Sequence, residues 1–166
     1  MEKCYVLFGS NMGDKDQIFA KACLNINNRC GHVLEVSSAY ESEPWGFEAK
    51  EWFLNRLIIV ETELEPEAMM RQLLDVEAEL GRVRHPEVEG YTSRTVDLDI
   101  LYYGSRIVLT DCITIPHPRL HLRRFALLPL CELVPHFVHP AFNLTQTELL
   151  RRCADVSSKT ISGSVS

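Results

Sequence analysis

The sequence predicts an α+β fold, a ferredoxin-like β-α-β-β-α-β core with a mainly antiparallel sheet and C-terminal helical additions. Three observations predict it. Strand-like and helix-like stretches follow one another in that order as far as Tyr103. Hydrophobic residues make up 46% and charged residues 24%, the balance of a folded chain. The length of 166 residues suits one domain, with no internal repeat or linker.

Residues 4–8 are a short apolar run closed by Gly9-Ser10-Asn11, which predicts a buried strand. Asp14 or Asp16 is placed to cap a helix over 17–29, where Ile18, Ala22 and Ile26 keep helical spacing. Val33 to Ser42 reads as a strand that stops near Pro44 and Gly46. Phe53 to Glu63, rich in β-branched residues, reads as another. Its period of two puts Phe53, Asn55, Leu57 and Ile59 on one face. Pro66 opens a helix where its missing N–H does no harm, and Gly81 ends it after Leu80. A polar loop, Arg82 to Thr95, leads to a strand over Val96–Tyr103. Gly104-Ser105 turns the chain into a short strand around Ile107. Phe125–Leu133 and Thr145–Ala154 read as two further helices. The domain is expected to span 1–156, followed by a flexible tail over 157–166 rich in serine.

The charge balance is 17 − 23 = −6, which argues against nucleic acid as a partner. No apolar run reaches the length of a membrane span, and the first residues lack a signal-peptide pattern. Six cysteines without a Cys-x-x-Cys pair are expected to be reduced thiols in a cytoplasmic protein. A monomer is expected.

Four features break the structural pattern. Asp97 and Asp99 interrupt an apolar strand, and strand periodicity aims both at one face, with Cα atoms roughly 6.6 Å apart. A solvated face would tolerate them. Their apolar flanks favour a divalent cation such as Mg²⁺, which one or two carboxylates hold together with water and phosphate oxygens. Glu77 falls within the stripe of Met70, Leu73, Leu74 and Leu80, where a carboxylate needs a partner, either an arginine or a ligand. Arg82, Arg84 and Arg94 precede the aspartate strand, and Arg119, Arg123 and Arg124 follow Ile115-Pro116-His117-Pro118. Each alone reads as a surface ion pair; together with paired carboxylates they suggest polyphosphate chemistry. Phe53 and Phe125 beside Asn55 could hold a flat heterocycle, although core packing explains each ring by itself. Prolines near His117, His121, His136 and His139 argue against a helical zinc site. Gly9–Gly13 lacks the Gly-Lys-Ser/Thr of a P-loop, and no Gly-x-Ser-x-Gly motif is present.

Six ordered segments, LFGSNMGD, SSAYESEPWGF, FLNRLIIVET, ELGRVR, SRTVDLDILYYG and IPHPRLHLRRFALLPL, resemble the 6-hydroxymethyl-7,8-dihydropterin pyrophosphokinase family of folate biosynthesis over roughly residues 5–150. The resemblance implies the same α+β ferredoxin-like core. It implies an enzyme that transfers the diphosphoryl group of ATP to the pterin hydroxymethyl, leaving AMP. Asp97 and Asp99 would bind two Mg²⁺ ions. Phe53 and Phe125 would sandwich the pterin, with Asn55 at its edge and Ser42, Glu43 and Trp45 beside it. Arg84, Ile100, Thr114, His117 and Arg123 would face ATP, with Arg82 and Arg94 as mobile cations near the chemistry and Glu77 at a family position. Three positions depart from the common pattern. Gly90-Tyr91-Thr92-Ser93-Arg94 stands where Trp-Gly-Pro-Arg is common, Leu122 where Glu is frequent, and Cys112 where some members carry a basic residue. A binding module without turnover and a Mg²⁺-dependent phosphohydrolase are the other classes such a site could serve.

Overall fold

A computed structural model of the chain describes residues 1–11, 13–42, 52–81, 96–155 and 158–160, the last three by their backbone. The apolar run at the start forms β1, Glu2–Ser10, four residues longer than the run itself. Asp14 caps α1, Lys15–Arg29, its carboxylate accepting the Gln17 N–H at 3.2 Å. The predicted strand Val33–Ser42 is two strands, β2 (His32–Val36) and β3 (Tyr40–Ser42). Ser37 makes the break. Its N–H donates to the Leu57 carbonyl at 2.9 Å, and its hydroxyl oxygen accepts the Leu57 N–H at 2.8 Å. A buried side chain thus replaces one backbone rung of the ladder.

β4 (Phe53–Thr62) pairs with β1 along one edge and with β2 and β3 along the other, every pair antiparallel. β5 (Val96–Tyr103) pairs antiparallel with β1. The sheet therefore runs β5-β1-β4 and then β2 and β3 side by side on the β4 edge. Beyond β3 lies β8, Ser158–Thr160. Those three residues fall in the segment expected to be a flexible tail, where the open edge of β3 offers backbone partners. β6 (Val108–Leu109) and β7 (Thr114–Ile115) form a separate hairpin; β7, two residues long, leaves no periodic trace in the sequence.

Helices cover both faces of the sheet. On one, α1 and α2 (Pro66–Glu79) pack Phe19, Ala22, Ile26, Met69, Leu73 and Val76 onto the sheet. The buried stripe of α2 runs Met69-Leu73-Val76-Leu80; Leu74, expected inside it, is exposed. Gly81 ends this helix at φ 101°, as expected of a residue just past a helix C-terminus. On the other face, α3 (Arg124–Leu133) and α4 (Gln146–Arg152) cover Tyr5, Leu7, Leu57 and Ile59. α4 is shorter than expected and opens on a capping box between Thr145 and Glu148. Among the described residues no helix is long and apolar enough to cross a membrane.

Candidate active site

The paired aspartates come from the alternation of β5. Val96, Leu98 and Ile100 are buried under α2, so Asp97 and Asp99 point to the opposite face, where they are half-buried. Strand register places Asp97 beside Gly9 and Gly9 beside Asn55, one row across three strands. The next row runs Asp99, Leu7, Leu57. Past the N-terminal end of α3 this face opens into a cleft of about 660 Å³, which Asp97, Asp99, Asn55, Phe53, Phe125 and Arg123 all line. Ser42 and Gly9 complete its floor.

The local bonding orients Asn55. Its Nδ2 donates to the Tyr40 carbonyl at 3.2 Å and to Ser42 Oγ at 2.9 Å, so both amide hydrogens are engaged. Its Oδ1 lies over Gly9, where a Cβ would stand only 3.2 Å from it. With both hydrogens engaged, the amide has its oxygen left as an acceptor, in a cleft that Phe53 and Phe125 also line. Gly9 was legible only as the close of a strand; its use as cleft floor follows from a register that no local pattern encodes. Arg123 lies over the Phe125 ring, 5.6 Å from its centroid.

A second cleft, about 450 Å³, shares Asp97 and Asp99 with the first and adds Glu77, Ile100, Thr114 and His117. The aspartates therefore stand on the wall between the two. Glu77 is buried and accepts the Leu98 N–H at 2.7 Å. A backbone amide is thus one of its partners, which the sequence did not name. His117 is held by its own backbone N–H, which donates to the Leu101 carbonyl at 2.9 Å. Its Nδ1 accepts the Arg119 N–H at 3.1 Å, which puts the ring proton on Nε2. Burial first, then the neighbouring Arg123 and Arg119 charges, push its pKa down from 6.5 to about 4. A neutral imidazole with an N–H donor therefore faces this cleft at neutral pH.

Eleven of the sixteen site residues expected from the sequence are thus gathered around two adjoining clefts. Glu43, Trp45, Arg82, Arg84 and Arg94 lie outside the described residues, as does Tyr91. Among the described residues no group of three or more His, Cys, Asp or Glu side chains is gathered for a metal. Two carboxylates on one face still fit a hard cation that takes its remaining ligands from phosphate and water.

The family model for 7,8-dihydro-6-hydroxymethylpterin-pyrophosphokinase matches residues 5–135. The 2-amino-4-hydroxy-6-hydroxymethyldihydropteridine pyrophosphokinase of Haemophilus influenzae is 36% identical over 158 residues, covering 93% of this chain and 95% of that protein. The Bacillus subtilis protein of the same name is 37% identical over 130 residues, 78% of this chain and 76% of its own. A folic acid synthesis protein of Dictyostelium discoideum is 34% identical over 145 residues, 87% of this chain but 22% of that longer protein. The chain thus spans about a fifth of such longer relatives. Among solved structures, a Plasmodium falciparum HPPK-DHPS aligns with TM-score 0.77 at 14% identity, over 96% of this chain and 48% of that one, and shares its fold. Enzymes of this family use ATP and generally Mg²⁺, and bind the pterin substrate. The chain belongs to the 7,8-dihydro-6-hydroxymethylpterin-pyrophosphokinase family.

Proposed function

We propose that this chain transfers the diphosphoryl group of ATP to the hydroxymethyl of 6-hydroxymethyl-7,8-dihydropterin, giving the pterin diphosphate and AMP. The observation that carries the reading is the position of Asp97 and Asp99 between an aromatic-and-amide cleft and a second cleft with a neutral histidine and a buried glutamate. A flat donor-bearing ring fits the first, with Phe53 and Phe125 on its faces and Asn55 Oδ1 accepting at its edge. Ser42 holds the Asn55 amide in that orientation. The triphosphate fits the second, where His117 Nε2–H donates to a phosphate oxygen, and Ile100 and Thr114 line the nucleotide side. Arg123 lines the first cleft, its charge felt at His117 of the second, and neutralises charge on the transferred group. Glu43 and Trp45 are assigned to the pterin side, and Arg82, Arg84 and Arg94 to the phosphates, as the resemblance implies.

In the reaction the hydroxyl oxygen bonds to the β-phosphorus and the bond from that phosphorus to the bridging α,β-oxygen breaks. AMP leaves with the bridging oxygen and the hydroxyl proton passes to solvent. Asp97 and Asp99 would hold two Mg²⁺ ions, which supply charge neutralisation on the phosphates and acidify the hydroxyl. The protein contributes placement, bringing a neutral alcohol and a triphosphate together across one strand. The sheet order β5-β1-β4-β2/β3 supports a ferredoxin-like core. We assign residues 1–156 to one domain, and a single copy suffices because both clefts are built within one chain. Six free cysteines favour a reducing compartment such as the cytoplasm.

Chromatography of the nucleotides after incubation with ATP, Mg²⁺ and the pterin tests the reading. AMP should form in step with pterin diphosphate and only when the pterin is present. ADP, or phosphate released without pterin, would overturn it. Asp97→Ala and Asp99→Ala should each lower turnover at least about a hundredfold with the far-UV circular dichroism unchanged.

A further inference from the structure

We infer that Glu132 is a positioning residue for the pterin cleft, acting through Tyr40 and Ser38. This rests on the pterin reading of that cleft. Glu132 is exposed on α3 and is not one of the described residues lining the cleft. It nevertheless collects the connection into β3. Its Oε1 accepts the Tyr40 hydroxyl at 2.6 Å. The Ser38 N–H donates to its two oxygens at 3.1 and 3.0 Å, and the Ser38 hydroxyl donates to Oε2 at 3.2 Å. Hydrogen bonds to a carboxylate are stronger than neutral ones.

The two tied residues bear directly on the cleft. Tyr40 stands opposite Asn55 in the strand register, and its carbonyl takes one of the Asn55 amide hydrogens. Ser42, the other acceptor of that amide, is two residues further along the same three-residue strand. Ladder pairing alone holds so short a strand weakly, and β3 follows the break at Ser37. On the helix side, Phe125 and Glu132 are seven residues apart, about two turns, and so share one side of α3. One end of that side supplies the ring over the cleft, and the other fixes the strand that orients the amide within it. Glu132 thereby sets the placement of the ring relative to Asn55.

Steady-state kinetics of the full chain, with an equilibrium titration of the pterin, test this in Glu132→Ala, Glu132→Gln and Tyr40→Phe. Glu132→Ala should raise the KM and Kd for pterin about tenfold while the KM for ATP stays within about twofold. Glu132→Gln, which still accepts hydrogen bonds without the charge, should recover most of the loss. Tyr40→Phe keeps the buried ring and removes one donor, so it should weaken pterin binding about threefold even if Glu132→Ala fails to fold. Unchanged pterin Kd in Tyr40→Phe and in the folded Glu132 variants would overturn the inference, as would equal losses for ATP and pterin. An unaltered chain that binds pterin yet releases no AMP would overturn the proposed reaction instead, and the Kd comparison would still decide the role of Glu132.

Discussion

Gly9 shows how much one missing side chain does. It sits in the middle strand between Asp97 and Asn55, and its bare Cα lets the Asn55 carbonyl oxygen lie flat over the sheet. An alanine there would bring Cβ to 3.2 Å from that oxygen. Asn55 has little room to withdraw, because both of its amide hydrogens are held by Tyr40 and Ser42. Gly9→Ala is therefore expected to raise the KM for pterin about tenfold and leave the KM for ATP unchanged, with thermal stability nearly that of the parent chain. Separate saturation curves for the two substrates check it; parallel losses would show that the strand itself had moved. Asp97 and Asp99 were legible in the sequence for the opposite reason, since charged side chains in an apolar strand announce themselves. A glycine at the end of a strand carries no such signal until its neighbours across the sheet are known.

At the scale of elements, the site depends on how α2 meets β5. β5 is the edge of the sheet beyond β1, so its outward N–H groups need partners from elsewhere. Glu77 supplies one, accepting the N–H of Leu98, the residue between the two aspartates. Glu77→Ala would leave that amide buried and unpaired, a cost of about 1–3 kcal/mol. Urea denaturation should show a loss of that size, with turnover falling as well because the aspartate strand loses its tie. Glu77→Gln keeps an acceptor and should retain most of the stability. Helical period alone flags Glu77 as an anomaly, but its bond to the Leu98 amide could not be read there, because no residue type records which amides a sheet leaves open. The same limit hid the break between β2 and β3. Val33–Ser42 contains no Gly or Pro, and the interruption comes from a serine bonding to a strand twenty residues on. The succession of strands and helices along the chain and the faces of β4 and β5 were legible because each is written in periodicity.

For the whole molecule, the two inward histidines tie folding to pH. His117 is held neutral by burial and by Arg123 and Arg119, with its pKa at about 4. His139 is buried, stacked on Phe142 at 4.1 Å, and its Nδ1 accepts the Ala141 and Phe142 N–H groups. Burial and the neighbouring His121 lower its pKa too. In the unfolded chain both imidazoles take up a proton near the ordinary value of 6.5. Between that pH and about 4 the unfolded state therefore binds more protons than the folded one, and stability falls as pH falls. Above 6.5 both states are neutral at these rings and their contribution is fully present. The Glu148 carboxylate, lowered first by the Thr145 backbone and then by the Thr145 side chain, adds a separate loss below 4.5, where its unfolded form protonates. Urea midpoints should thus be flat from pH 8 to 7, decline from 6.5 toward 4, and decline further in stronger acid. His117→Gln removes one titrating ring and keeps a polar side chain. Its midpoint should be lower than the parent's at pH 7.5 and the gap should narrow by pH 4.5. A gap that stayed constant across that range would show that His117 titrates alike in the folded and unfolded chain, and the lowered pKa assigned to the ring in the phosphate cleft would fall with it.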